Sequence, residues 1–161
     1  MNYYDRLAPG YDELHAEEQL TKLQILLQHA QFHGKILDVG AGTCIVAKHL
    51  GKQFTVISVD PSKKMLDQGI GERHVAKAEQ LPFAAKTFDS IISLTVLHHC
   101  DLQQALSEIQ RVAKPKAVIA LTFLKKSSKL KQFERLLQTF FGKYEKLEAN
   151  QDFLYLIKHS H

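Results

Sequence analysis

Four short runs, KILDV (35–39), TVISVD (55–60), FDSIISLTV (88–96) and AVIALTFL (117–124), alternate along the chain with stretches whose apolar residues recur every three or four positions. This alternation limits the fold more than any other feature. Strands apolar almost throughout suit a sheet covered on both faces. Strand-like and helix-like segments in turn predict βα units and a mostly parallel sheet.

The helical segments are predicted at 17–32, with Leu20, Leu23, Leu27 and Ala30 on one face, at 44–50 and at 62–68. Gly51 reads as a left-handed cap of the second, and Gly69 ends the third. HVAKA (74–78) reads as a short third strand. Asp101 reads as an N-cap, with Gln104 completing a capping box, ahead of a buried stripe of Leu102, Ala105, Leu106, Ile109 and Val112. Leu130, Phe133, Leu137, Phe140 and Phe141 mark a last helix, stopped by Gly142. The segment 144–159 reads as two strands joined at Asn150, Gln151 and Asp152, a link short enough to require an antiparallel pair.

The length, 161 residues, suits one domain covering 1–161. A domain of that size buries roughly 70% of the surface of its unfolded chain and needs no covalent staples. No apolar run approaches the roughly 20 residues of a membrane-spanning helix, so no membrane partner is expected. The N-terminus lacks the pattern of a secretory signal. Cys44 and Cys100 form no CxxC pair, and the adjacent His98 and His99 make no metal site alone, so the expectation is a cytoplasmic protein without metal. Residues 1–113 carry 11 Lys/Arg against 13 Asp/Glu, and residues 114–161 carry 10 against 4. A basic C-terminal third suits RNA, although without interleaved aromatic residues it reads first as a solvated lysine-rich face.

The chemistry concentrates at 40-GAG-42, directly after the first strand. Ligands of open α/β sheets bind beyond the carboxyl ends of the strands. Glycine permits positive φ and close approach of a ligand, and the helix that follows offers free N–H groups. Asp60 ends the second strand, 18 residues after Gly42. A carboxylate there suits the two hydroxyls of a ribose. Dinucleotide enzymes want a third glycine where this chain has Ile45, which counts against a nicotinamide cofactor.

With these residues in place, the chain resembles the class I S-adenosylmethionine-dependent methyltransferases, in particular the methyltransferase type 11 family. ILDVGAGT resembles the family's first motif, and VISVDPSKKML its acidic second-strand motif. AEQLPFAAKTFDSIISLTVLHH resembles the segment from the adenine side into the fourth strand, and EIQRVAKPKAVIAL the stretch ahead of the fifth. The resemblance spans nearly the whole chain. It implies a Rossmann-like, doubly wound α/β fold with seven strands in the order 3-2-1-4-5-7-6, the last antiparallel.

The resemblance also implies S-adenosylmethionine as cofactor. Asp38, Gly40, Ala41 and Gly42 would hold its methionine part and Asp60 its ribose. Pro61 and Met65 would lie near the adenine, with Ala78 and Glu79 at its edge. Ser93 and Leu94 would line the methyl side. Tyr11, within a covering segment of about residues 1–15, would close over the cofactor. His99 and His98 are the candidates for a base. The family's pattern differs at Cys44, a frequent glycine, at Lys77, often an acid or asparagine, and at Lys116-Ala117, usually two glycines.

Short connections leave little chain to build a lid over the acceptor. Such an open site suggests either a large acceptor, RNA or protein, that brings its own surface, or a partner protein that completes the pocket. VLHHC and the following EIxRV are similar to the wobble-uridine tRNA methyltransferases, some of which need a small activator protein, and the unpaired edge expected at the third strand is a place for such a partner to pair. The methyl acceptor itself is not identified by the sequence. The alternative function is a catalytically silent, S-adenosylmethionine-binding regulatory subunit.

Overall fold

A computed structural model describes residues 12–158. Tyr11 and most of the covering segment lie outside them. The elements run α1 (Asp12–His29), β1 (Lys35–Val39), α2 (Ile45–Leu50), β2 (Thr55–Asp60), α3 (Lys63–Leu66), β3 (Glu72–Val75) and β4 (Phe88–Ser93). A 3-10 turn (Leu97–His99), α4 (Leu102–Val112), β5 (Ala113–Leu124), α5 (Leu130–Phe141), β6 (Glu145–Ala149) and β7 (Asp152–Ile157) follow within the described residues.

The strands form one sheet in the order β3-β2-β1-β4-β5-β7-β6. The neighbours from β3 to β5 pair parallel, whereas β7 runs antiparallel to both β5 and β6. The two faces divide the core as the side-chain alternation of a strand demands. Leu37, Val39, Ile57 and Ile91 face α4 and α5, where Leu106, Ile109, Phe133 and Leu137 cover them. Ile36, Val56 and Ile92 face the other way, under Leu23 and Leu26 of α1 and Val46 and Leu50 of α2.

Local differences from the sequence reading have physical causes. β3 spans 72–75 rather than 74–78, because its pairing runs from Ile57↔Glu72 to Asp60↔Val75 and stops with β2. Gly51 is right-handed (φ −65°) and continues the helix by donating its N–H to the Ala47 carbonyl at 2.8 Å. The left-handed residue of α2 stands at its start instead: Cys44, φ 66°. Asp101 does accept from the Gln104 N–H at 3.1 Å, but its own N–H goes to Glu79 Oε2 at 3.1 Å, so Glu79 replaces Gln104 as the second half of the cap. β5 begins at Ala113, with a register shift between Phe88↔Ala113 and Ser90↔Val118 that absorbs Pro115. Among the described residues no helix is long and apolar enough to cross a membrane.

Candidate active site

The turn after β1 is fastened to β2. Gly40 and Ala41 both donate their N–H to the Val59 carbonyl at 2.9 Å. Gly42 donates to Asp60 Oδ2 at 2.9 Å, and the Ser62 N–H donates to Asp60 Oδ1 at 2.8 Å. Thus the glycine corner and the acid at the neighbouring strand tip are in direct contact. Ser62 then caps α3 by accepting from the Met65 N–H at 3.2 Å, which sets Met65 against the corner.

The glycines are there for space as well as for φ. A Cβ on Gly40 (φ 74°) would lie 2.3 Å from Val96 Cγ2. One on Gly42 (φ 56°) would meet only Met65 Cε, at 3.4 Å, and would narrow the recess beneath it. Cys44 adopts a left-handed conformation that glycine favours. Its side chain is accommodated by Gly69, where a Cβ would come within 2.3 Å of its Sγ. Burial raises the Cys44 thiol above its ordinary pKa and pushes that of Cys100 up to about 12, so neither is poised as a nucleophile.

An inner recess of about 50 Å³ is lined by Asp38, Gly40, Ala41, Gly42, Asp60 and Met65, with Pro61 and Leu94 also at its wall. It opens on a cleft of about 710 Å³, and Gly40, Pro61, Thr95 and Val96 line both. Lys77, Ala78 and Glu79 line the cleft, as do His98, His99 and Asp152. The structure therefore brings every described residue of the expected site to one continuous cavity except Ser93. That side chain is fully buried and donates to the Val39 carbonyl at 2.9 Å, bracing β1 against β4 from behind the wall. Tyr11 lies outside the described residues.

Two buried acids meet in the recess. Burial first, and the charge of Asp60 second, push the Asp38 carboxyl up to about 8. Such an acid pair favours a cationic ligand, which would relieve the repulsion. An ammonium group at Asp38, vicinal hydroxyls at Asp60 and a sulfonium between them match this donor and acceptor set. The residues present fit S-adenosylmethionine.

A polar network that the sequence did not announce lines the cleft around Thr95. The Lys22 ammonium donates to Gln19 Oε1 (3.0 Å) and Thr95 Oγ1 (2.6 Å) and pairs with Asp152 Oδ2 (2.8 Å). Thr95 Oγ1 donates to the same Asp152 oxygen. Thr95 is β-branched and sits at φ 54°, a strained backbone held by its surroundings. Gln19 Nε2 donates to the Leu94 carbonyl at 2.9 Å. The available signal was Gln19 and Lys22 falling three apart on the buried side of α1, which the leucine spacing overshadowed. His98 is held neutral: burial first, then neighbouring His99, lower its pKa to about 4.

A family model described as a methyltransferase domain matches residues 37–121. The chain belongs to this methyltransferase family. An uncharacterized protein of Methanocaldococcus jannaschii, MJ1252, is 34% identical over 124 residues, 74% of this chain and 49% of that one. The malonyl-[acyl-carrier protein] O-methyltransferase of Methylovorus sp. is 32% identical over 145 residues, covering 75% of this chain and 48% of that protein. The chain spans about half the length of the curated relatives it matches. Two solved structures share its fold over nearly their whole length. One, from Methanococcus maripaludis, is described as a candidate S-adenosyl-L-methionine-dependent methyltransferase (TM-score 0.82, 16% identity, 100% of this chain and 96% of that one). The other is a candidate methyltransferase in complex with the Haloferax volcanii Trm112 methyltransferase activator (TM-score 0.80, 12% identity, 99% of each chain).

Proposed function

We propose that this methyltransferase uses S-adenosylmethionine, gripped at the inner recess and extending into the adjoining cleft, and presents the methyl group there to an acceptor. The observation that carries this reading is the contact between Gly42 N–H and Asp60, with buried Asp38 beside them in one recess. When bound, the cofactor supplies an electrophilic methyl group on a sulfonium sulfur. The chain's residues do the rest. Asp60, already braced by two backbone N–H groups, has its charge fixed in place to accept from ribose hydroxyls. Asp38 accepts from the ammonium group. Pro61 and Met65 flank the adenine, and Ala78 and Glu79 border its edge. Transfer would require the cleft to hold the acceptor's nucleophile in line with the methyl and away from water.

The acceptor is proposed to be an RNA or a protein surface, assisted by a small partner protein. β3 is a sheet edge with Val75 59% exposed, and Ile70 nearby is 49% exposed. An unpaired edge accepts an added strand, and a protein of the same fold has been solved with an activator. Labelled methyl transfer from S-adenosylmethionine to an extract of the host, split into small-molecule, RNA and protein fractions, tests the function. Label in one fraction, absent with Asp60→Ala, is the expected outcome. Cofactor binding without any transfer, even with copurified partners added, would mean a silent binding subunit instead.

A further inference from the structure

Beside Thr95 the cleft holds a buried carboxylate that is only half used. Asp152 is fully buried, lines the cleft, and spends Oδ2 on Lys22 and Thr95. Its Oδ1 has no hydrogen-bond partner. His98 Nδ1, on the same cleft, is likewise buried without one. Among the described residues only Ser58 has another such atom. Buried polar atoms are rarely left unpaired, and exceptions call for an unseen partner.

The hydrogen ledger says what that partner must be. An ammonium has three hydrogens. Lys22 commits its three to Gln19, Thr95 and Asp152, which leaves none for a ligand anion. The Thr95 hydroxyl proton is committed to Asp152. His98 carries no charge near neutrality, since burial and His99 hold its pKa at about 4. Lys129 donates to the Cys100 carbonyl at 3.2 Å and does not line the cleft. This part of the cleft therefore offers a carboxylate oxygen and a neutral imidazole, beside the apolar side chains of Val96 and Leu124. Among the described residues Lys22 is the ammonium in contact with Thr95 and Asp152, and it has no hydrogen left with which to anchor a carboxylate or phosphate; the cleft's other ammonium, Lys77, belongs to the segment of Ala78 and Glu79.

We propose that Asp152 Oδ1 and His98 Nδ1 form the acceptor subsite, and that it selects acceptors carrying an N–H or O–H group, amines and hydroxyls, over carboxylates and phosphates. This rests on the methyltransferase reading and deepens it, because Thr95 and Val96 join the subsite directly to the cofactor recess. Asp152 is then an acceptor-binding residue, and Lys22 is the residue that positions it.

The test uses four probes with one hydrocarbon body: n-butylamine, n-butanol, butyrate and butyl phosphate. Each is titrated into the full chain loaded with S-adenosylhomocysteine, and binding is followed by NMR on the His98 imidazole. Butylamine and butanol are expected to bind at least ten-fold more tightly than butyrate or butyl phosphate. Asp152→Asn is expected to erase that preference for butylamine. The paired variant Lys22→Met/Asp152→Leu removes the same oxygen without leaving a lone buried charge, and is expected to behave alike. Butyrate binding as tightly as butylamine overturns the proposal, as does a preference unchanged in whichever of the two variants folds. Calorimetry with S-adenosylhomocysteine keeps the two readings apart. Failure to bind it sinks the cofactor assignment, whereas binding with no discrimination among the four probes sinks the subsite alone.

Discussion

Asp60 has two duties whose loss can be told apart. Its oxygens accept from Gly42 and Ser62 in the free protein, and the same carboxylate is proposed to accept from the ribose. Hydrogen bonds to a charged group contribute roughly 1.5–3 kcal/mol each. Asp60→Ala should therefore lower unfolding free energy by roughly 3–6 kcal/mol, since two backbone donors lose their partner. S-adenosylhomocysteine affinity should fall at least ten-fold besides. Urea titration reads the first effect and calorimetry the second; unchanged affinity would contradict the ribose assignment. Asp38 predicts a pH dependence. Its folded pKa is raised from 3.8 to about 8, so between those values the folded state binds more protons than the unfolded one. The associated stability is fully present below the unfolded value and is lost as pH rises through the folded one. In Asp38→Asn this part of the decline should vanish, so melting temperatures of variant and wild type should diverge steadily from pH 5 to 8.5. A cationic ligand would expel the same proton. Titrating S-adenosylhomocysteine at pH 7 in two buffers of different ionisation enthalpy should then show proton release in wild type and none in Asp38→Asn.

At the scale of elements, the start of α2 and the end of α3 are matched through Cys44 and Gly69. The thiol occupies the place where a Cβ on Gly69 would stand, 2.3 Å away. Gly69→Ala should destabilise the protein by about 1–3 kcal/mol, the usual cost of overpacking. Cys44→Gly removes the obstructing side chain and suits the left-handed backbone at φ 66°. The double variant should therefore regain most of what Gly69→Ala loses, a coupling that urea titration of the four proteins would measure. Equal losses in the single and double variants would show that the two sites are independent. The same elements show what a sequence can disclose. β1 and β2 lie where the apolar runs placed them, because strands buried on both faces write their limits into composition. β3 starts two residues and ends three residues earlier than expected, because an exposed edge strand is bounded by its pairing with β2 and not by its own residues. Gly40, Gly42 and Asp60 were legible, since backbone angle and strand-end position demand those residue types. Ser93 was misjudged, because whether a strand-end side chain faces a cavity or a neighbouring strand is decided by register.

Across the whole molecule, the Lys22–Asp152 pair joins α1 to β7, over the end of β4. Three sequence-distant elements contribute Lys22, Thr95 and Asp152, and each residue taken alone reads as an ordinary polar side chain in contact with water, which is why this part of the site was not legible. Their burial arises only when α1 packs on the sheet and the β6–β7 hairpin inserts β7 beside β5. With side chains 5% and 0% exposed, this pair is governed by desolvation. Removing one partner of a buried pair costs about 3–5 kcal/mol, because a lone charge remains, whereas replacing both by apolar groups is often neutral or stabilising. Lys22→Met alone should thus sharply lower the urea midpoint, and adding Asp152→Leu should restore it to the wild-type value or above. If the pair serves only to hold α1 down, the restored double variant should also methylate normally. If Asp152 Oδ1 receives the acceptor, the double variant should be stable, bind S-adenosylhomocysteine with wild-type affinity, and still transfer methyl groups at least ten-fold more slowly. A double variant both stable and fully active would assign the buried pair to architecture alone. A stable but slow one would explain why the fold keeps an ion pair where hydrocarbon would hold it together at least as well.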